Sequence, residues 1–261
     1  MAKKAFSLCS KYSPIIRDGI PSYPLDSRDY LRWWSEQYFR CINGYKPPDG
    51  VWIPGNYYFH LNFWTINRLR WDEKAAAKAL LRYPLANPAF DPEGIEKKFD
   101  SYPLYRDSDH ELFDKIYRKR QEGNGGLIIM KGRRKAASEN VISGEIAHNL
   151  LFHKGSKVAI GVPDEDTYLN TIPILNTGWN NLPLALFQNF SVDNKKGREV
   201  GVEVKTDEGD KKMGALSRLA IKQFTHSGAL KGTAYTTLFI DESGKFGNKP
   251  TLEQCFMDSE D

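Results

Sequence analysis

Apolar residues recur three and four positions apart in four stretches of the chain, the spacing of an amphipathic helix. From Asp26, a good N-cap, the positions Leu31, Trp34, Tyr38 and Cys41 predict a helix to about Asn43, with Gly44 closing it. Asp107 to about Gln121 predicts a second, with Leu112, Ile116 and Lys119 on one face and Ser108 and Glu111 spaced as a capping box. A third runs from Ser138 to about His153 through Val141, Ile142, Glu145, Ile146, Asn149 and Leu150. A fourth starts at Asp164 and passes Tyr168, Ile172 and Leu175 toward Trp179, with Pro163 and Pro173 bearing on how far it extends. Lys74 to Leu81 reads as a further short helix-forming stretch.

Between the helices lie strand patterns. Leu127 to Met130 is a short apolar run, and Lys157 to Val162 another. Phe187 to Thr206 alternates polar and apolar through Val200, Val202 and Val204, with a turn expected at Asp193 to Gly197. Asp207 to Gly214 reads as a charged, mobile loop, Leu216 to Phe224 as a strand, and Tyr235 to Ile240 as another. Met1 to Pro24 is an arm punctuated by Pro and Ser, and Tyr83 to Tyr105 is Pro-rich and reads as irregular.

The resulting order is strand, helix, strand, helix, several strands, strand. That is an α/β, three-layer pattern with a mainly parallel central sheet. Gly123-Asn124-Gly125-Gly126 breaks the chain before the first strand and marks a boundary. Residues 1–122 are then an arm and a mostly helical N-terminal subdomain, placed to act as a lid over a nucleotide, and residues 123–261 are the core. Right-handed crossovers bring a ligand to the C-terminal edges of the strands in such a core.

Charge and composition narrow this picture only a little. The net charge of +4 and pI near 8.8 are compatible with a polyanion partner without specifying one. An aromatic content of 13% argues against a disordered chain. Cys9, Cys41 and Cys255 are odd in number, scattered and without metal-ligand spacing, so they read as reduced thiols. No apolar run reaches membrane-spanning length and no signal peptide follows Met-Ala-Lys-Lys, which excludes a membrane partner from the expectations. Tyr57, Tyr58, Phe59, Phe63 and Trp64 are either core or a stacking platform for an adenine ring. His60, His110, His148, His153 and His226 form no ligand pattern. Lys195, Lys196, Arg198, Lys211 and Lys212 are interleaved with acids and read as a solvated hairpin rather than a DNA-binding patch.

Two stretches carry chemistry. In the first, the apolar run to Met130 is followed at once by Lys131, Gly132, Arg133, Arg134, Lys135, Ala136, Ala137 and Ser138, and then by a helical pattern. Strand, small basic loop and helix together turn backbone N–H groups toward a phosphate chain. The common form of this loop is G-x-x-x-x-G-K-[ST]; here Ala136 and Ala137 stand where Gly and Lys would be, and Ser138 keeps its place. In the second stretch, Thr236-Thr-Leu-Phe-Ile ends in Asp241 and Glu242, two carboxylates at the end of an apolar strand. One can hold Mg²⁺ through its water shell, and the other can orient an attacking water.

Lys131 to Ser138 resembles the deviant Walker A loop of large terminase subunits of tailed double-stranded DNA bacteriophages, in part of which the phosphate-binding lysine opens the loop. Ala229-Leu-Lys-Gly-Thr-Ala-Tyr-Thr-Thr-Leu-Phe-Ile-Asp-Glu-Ser-Gly-Lys-Phe246 is similar to the family's Walker B region, and Val51 to Phe63 to its N-terminal region. The resemblance implies a P-loop NTPase core that binds ATP and Mg²⁺ and drives DNA packaging. Lys131 to Ser138 would bind the nucleotide, with Lys131 and Arg134 neutralising phosphate charge. Ser138 and Asp241 would hold Mg²⁺, and Glu242 would polarise the water. The implied partners are double-stranded DNA, the portal protein, the small terminase subunit and further copies of the chain in a ring, all in the host cytoplasm. A complete member carries a C-terminal nuclease, so this chain is expected to be an N-terminal portion without one. Two other readings stay open: a helicase-like P-loop ATPase, and a degenerate, non-catalytic relative, toward which Ala136 and Ala137 point.

Overall fold

Residues 55–65 are buried without exception, and the rest of the N-terminal half is arranged around them. The computed structural model of the chain describes residues 23–47, 50–71, 96–103, 105–123, 126–129, 141–186, 190–193, 197–206, 209–223 and 234–241. In chain order the elements are α1 (Arg28–Asn43), α2 (Gly55–Phe63), β1 (Ile66–Trp71), β2 (Glu96–Ser101) and α3 (Asp107–Glu122). A π-helical turn (Val141–Ile146) follows, continuing directly into α4 (Ala147–Phe152). Then come β3 (Lys157–Val162), α5 (Glu165–Asn180), β4 (Phe190–Asp193), β5 (Gly197–Thr206), β6 (Gly209–Gln223) and β7 (Thr237–Ile240).

The first helix forms one residue later than its pattern suggests. Ser27, not Asp26, is the cap, its hydroxyl accepting from the Tyr30 N–H at 3.1 Å. Its buried face is Trp34, Gln37 and Cys41, whereas Leu31 is 58% and Tyr38 43% exposed. The face is chosen by α2. Trp34 meets the Phe63 ring at 5.7 Å, and the Tyr58 hydroxyl donates to Gln37 Oε1 at 2.6 Å. Arg40 lies 4.3 Å over the Tyr45 ring, a cation–π contact, and also donates to the Tyr58 hydroxyl of α2. Burial pushes the Tyr58 phenol up to about 12.

The aromatic run therefore makes core. Tyr57 stacks on Phe113 of α3 at 4.9 Å, Phe59 meets Phe152 of α4 at 5.4 Å, and Trp64 meets Trp179 of α5 at 6.1 Å. Each such side chain contributes roughly 1.5–3 kcal/mol by leaving water. Buried residues from both sides of Gly123 belong to one cluster, from Trp34 and Phe113 to Ile146, Val158 and Leu219. Of the three cysteines, Cys41 is described; it is buried and free.

In α3 the capping box does not form. Arg106 is the N-cap without a side-chain capping bond, Ser108 lies inside the helix, and Glu111 pairs with Lys115 at 2.7 Å. Asp107 and Asp109 supply the negative charge that favours a helix N-terminus. Within the stretch read as irregular, β2 pairs antiparallel with β1, from Ile66 opposite Ser101 to Trp71 opposite Glu96. That pairing is a contact across sequence and leaves little local signature. The expected helix from Lys74 to Leu81 lies outside the described residues.

The main sheet has the order β4-β5-β6-β3-β7. The strands β6, β3 and β7 run parallel, and β4, β5 and β6 are joined antiparallel, so the sheet is mixed within an α/β arrangement. Both α4 and α5 pack on β3 and β6. The charged loop expected from Asp207 is mostly strand. Register pairs Thr206 with Gly209, so β6 begins at once and runs through to Gln223. The backbone register sets Glu203 opposite Lys212 and Lys205 opposite Asp210.

The α5 backbone sits directly on the indole of Trp64: a Cβ added at Gly178 would lie 2.0 Å from Trp64 Cε2. Overpacking of this kind typically costs about 1–3 kcal/mol. We expect Gly178→Ala to lower the unfolding free energy measured in urea by that amount, whereas Gly126→Ala, where no described residue lies within 4 Å, stays within about 0.5 kcal/mol of the parent. Equal unfolding free energies for the two variants would contradict this packing.

Candidate functional site

The parallel strands β3 and β7 deliver their C-terminal ends side by side. Ile240 pairs with Gly161, and the Asp241 N–H donates to the Gly161 carbonyl at 3.0 Å. At the opposite end the Thr236 hydroxyl bonds both the N–H and the carbonyl of Lys157 at 3.0 Å, which fixes the register. A carboxylate therefore stands where the apolar strand Thr237–Ile240 ends, half-buried beside the end of β3. On β3 the chain turns at Pro163, and Asp164 caps α5 by accepting from the Thr167 N–H at 2.8 Å. Asp164 thus caps a helix, and Asp241 stands at the end of β7. A half-buried carboxylate there suits a cation held through water.

Of the residues predicted to act, Asp241 is described. Lys131, Gly132, Arg133, Arg134, Lys135, Ala136, Ala137, Ser138 and Glu242 lie outside the described residues. Leu127 to Met130 was expected as a strand; among the described residues Leu127 to Ile129 join no sheet, and Ile128 is 91% exposed. A strand exists by pairing, and among the described residues no strand pairs with this run. The helix expected from Ser138 is described from Val141 onward, and Val141–Ile146 are π-helical, a geometry often found at functional sites. Among the described residues no group of three or more His, Cys, Asp and Glu is placed to hold a metal ion. None of the helices described is long and apolar enough to cross a membrane.

The structure adds a polar cluster between α2, α3 and the helix from Val141. Glu145 is 5% exposed. Its carboxylate pairs with the Arg120 guanidinium and accepts from Asn56 Nδ2 at 2.7 Å and Asn149 Nδ2 at 3.3 Å. Arg120 Nη1 also donates to His153 Nε2 at 3.1 Å, which requires that nitrogen to be unprotonated. His148, stacked on Phe152 at 4.9 Å, donates from Nε2 to the Cys41 carbonyl at 2.6 Å. Burial lowers the Arg120 pKa to about 10, still far above neutrality. Burial and the Arg120 charge together lower His153 to about 4 and hold His148 well below its usual range.

The sequence did carry a trace of this cluster. Glu145 and Asn149, four residues apart, occupy apolar-face positions of the helix, and a polar pair on a buried face calls for a partner. Which partner was not legible, because Arg120 and Asn56 reach it from other helices.

No known protein family matches the chain, and no curated protein is significantly similar to it.

The two depressed histidines set a pH dependence. Unfolded, His153 titrates near 6.5, and in the fold near 4, so between these values the unfolded state binds more protons and stability rises with pH. We expect the chemical-denaturation midpoint to fall as pH drops from about 6.5 toward 4. His153→Gln keeps an acceptor for Arg120 without a titrating ring and should flatten that slope in part, His148 supplying the remainder. A His153→Gln slope identical to the parent's would contradict the assignment.

Proposed function

We propose that the chain is the ATPase portion of a large terminase-like subunit, binding Mg²⁺·ATP at the C-terminal edge of the parallel strands and coupling hydrolysis to movement of double-stranded DNA into a procapsid. The observation that carries the reading is Asp241 at the end of β7, parallel to and beside β3, in a chain whose other charged loop has the order apolar run, basic turn, helix. A P-loop NTPase likewise has a carboxylate at the end of a strand beside the nucleotide's metal, and the placement of Asp241 supports that reading.

In this reading Lys131 to Ser138 enclose the phosphates. Lys131 and Arg134 offset the charge that spreads over the transferring phosphoryl group. Ser138 and Asp241 hold Mg²⁺, and Glu242 takes up the proton of the attacking water. Bound Mg²⁺ would supply charge neutralisation between the phosphate oxygens. The work of the portion would be done in the host cytoplasm, by copies arranged in a ring on the portal protein and supplied with DNA by the small subunit. Ala136 and Ala137 favour a second reading, a relative that keeps the fold and has lost hydrolysis. Binding and turnover separate the two.

Isothermal titration of the purified chain with Mg²⁺·ATP tests the proposal. Wild type should bind, and Lys131→Ala should weaken binding at least about tenfold by removing a charge-assisted contact. Glu242→Gln should bind like wild type while losing hydrolysis by about a hundredfold or more. Binding without turnover in the wild type would favour the degenerate relative, and a folded wild type that binds no nucleotide would contradict the proposal.

A further inference from the structure

The Arg120–Glu145 pair joins two places that bracket the candidate phosphate-binding stretch. Arg120 lies in the last turn of α3, just before Gly123 ends that helix. Glu145 lies in the π-helical turn that begins at Val141. The same interface holds a second close contact, since a Cβ at Gly144 would lie 2.2 Å from the Phe113 ring of α3. We propose that the Arg120–Glu145 bridge is a positioning element for nucleotide binding, fixing where the chain leaves α3 and where it re-enters the following helix, and so the ends of the stretch that carries Lys131 and Ser138. This rests on the nucleotide-binding reading above and assigns neither residue a contact with nucleotide.

Three features favour a positioning role over simple stabilisation. Buried ion pairs contribute little net stability compared with apolar packing, because desolvating both charges offsets their attraction; where they are retained, a fixed arrangement is their best-attested use. Each partner here is held from several directions. Asn56 of α2 and Asn149 of α4 donate to Glu145, and Arg120 is shared with His153 just beyond α4. A carboxylate with three donors has one orientation, whereas an apolar contact at the same place would tolerate sliding of one helix on the other. Finally, Gly144 against Phe113 sets the depth of approach, and the bridge sets the offset along it.

The test uses the full chain with Glu145→Gln and Arg120→Lys, and Gly178→Ala as a destabilised control that removes none of the bridge's hydrogen bonds. Two readouts are taken: the rate of tryptic cleavage at Arg133-Arg134-Lys135 without nucleotide, and the Mg²⁺·ATP dissociation constant. Glu145→Gln should cleave about tenfold faster there and bind about tenfold more weakly, since small misplacements of binding groups carry penalties of this size or larger. Arg120→Lys keeps the charge but loses the forked contact and should fall between; it decides the matter if Glu145→Gln does not fold. Gly178→Ala should stay within about twofold of wild type in both readouts. Bridge variants that cleave and bind like wild type would overturn the inference, as would a control that shifts by the same factor. If wild type binds no ATP, the nucleotide reading falls by itself, and faster cleavage in the bridge variants would still support control of the stretch's ends by the bridge.

Discussion

A helix with no exposed face has to be enclosed, and the enclosure of Gly55–Phe63 governs the rest of the structure. Its neighbours are α1 on one side, α3 on another, and the helix from Val141 on a third. Trp64, immediately beyond it, reaches α5 and rests against the bare backbone of Gly178. Because these neighbours come from both sides of Gly123, the aromatic segment ties the N-terminal helices to the elements that carry the sheet. Polar groups also enter this interior, among them Asn56 donating to Glu145 and Gln37 accepting from Tyr58.

The sheet inherits its position from that packing. Helices α4 and α5 flank β3 in sequence and pack on β3 and β6, so the direction of β3 is set by the helices on either side of it. Parallel pairing then brings the ends of β3 and β7 together, and Asp241 with them. The antiparallel extension through β6, β5 and β4 lies on the other side of β3. Strand β7, with Asp241 at its end, is thus separated from the hairpin region by β3.

How much of this could be read from the sequence depends on how local each feature is. Lys157–Val162 and the helix capped by Asp164 were legible to the residue because a strand run and a cap are encoded where they occur. The buried face of α1 was not: Leu31 and Tyr38 fit the helical period as well as Trp34 and Cys41 do, and only the partner helix chooses between them. Ser108 and Glu111 had the spacing of a capping box, yet the helix starts at Asp107 and leaves Ser108 inside it. β2 and the first part of β6 were missed because charged sequences such as Glu96-Lys97-Lys98 and Asp210-Lys211-Lys212 become strands through their cross-strand partners. In the candidate site, Asp241 at the end of an apolar strand was plain from sequence. The Arg120–Glu145 bridge was hidden, since an ion pair between residues far apart has no periodicity.

Hydrogen–deuterium exchange of the whole chain, with and without Mg²⁺·ATP, asks most directly whether one nucleotide brings the two chemical stretches together. Slowed exchange is expected in two separate peptides, one spanning Lys131 to Ser138 and one spanning Ile240 to Glu242, appearing together as nucleotide is added. Exchange left unchanged in both, or slowed only elsewhere, would contradict it.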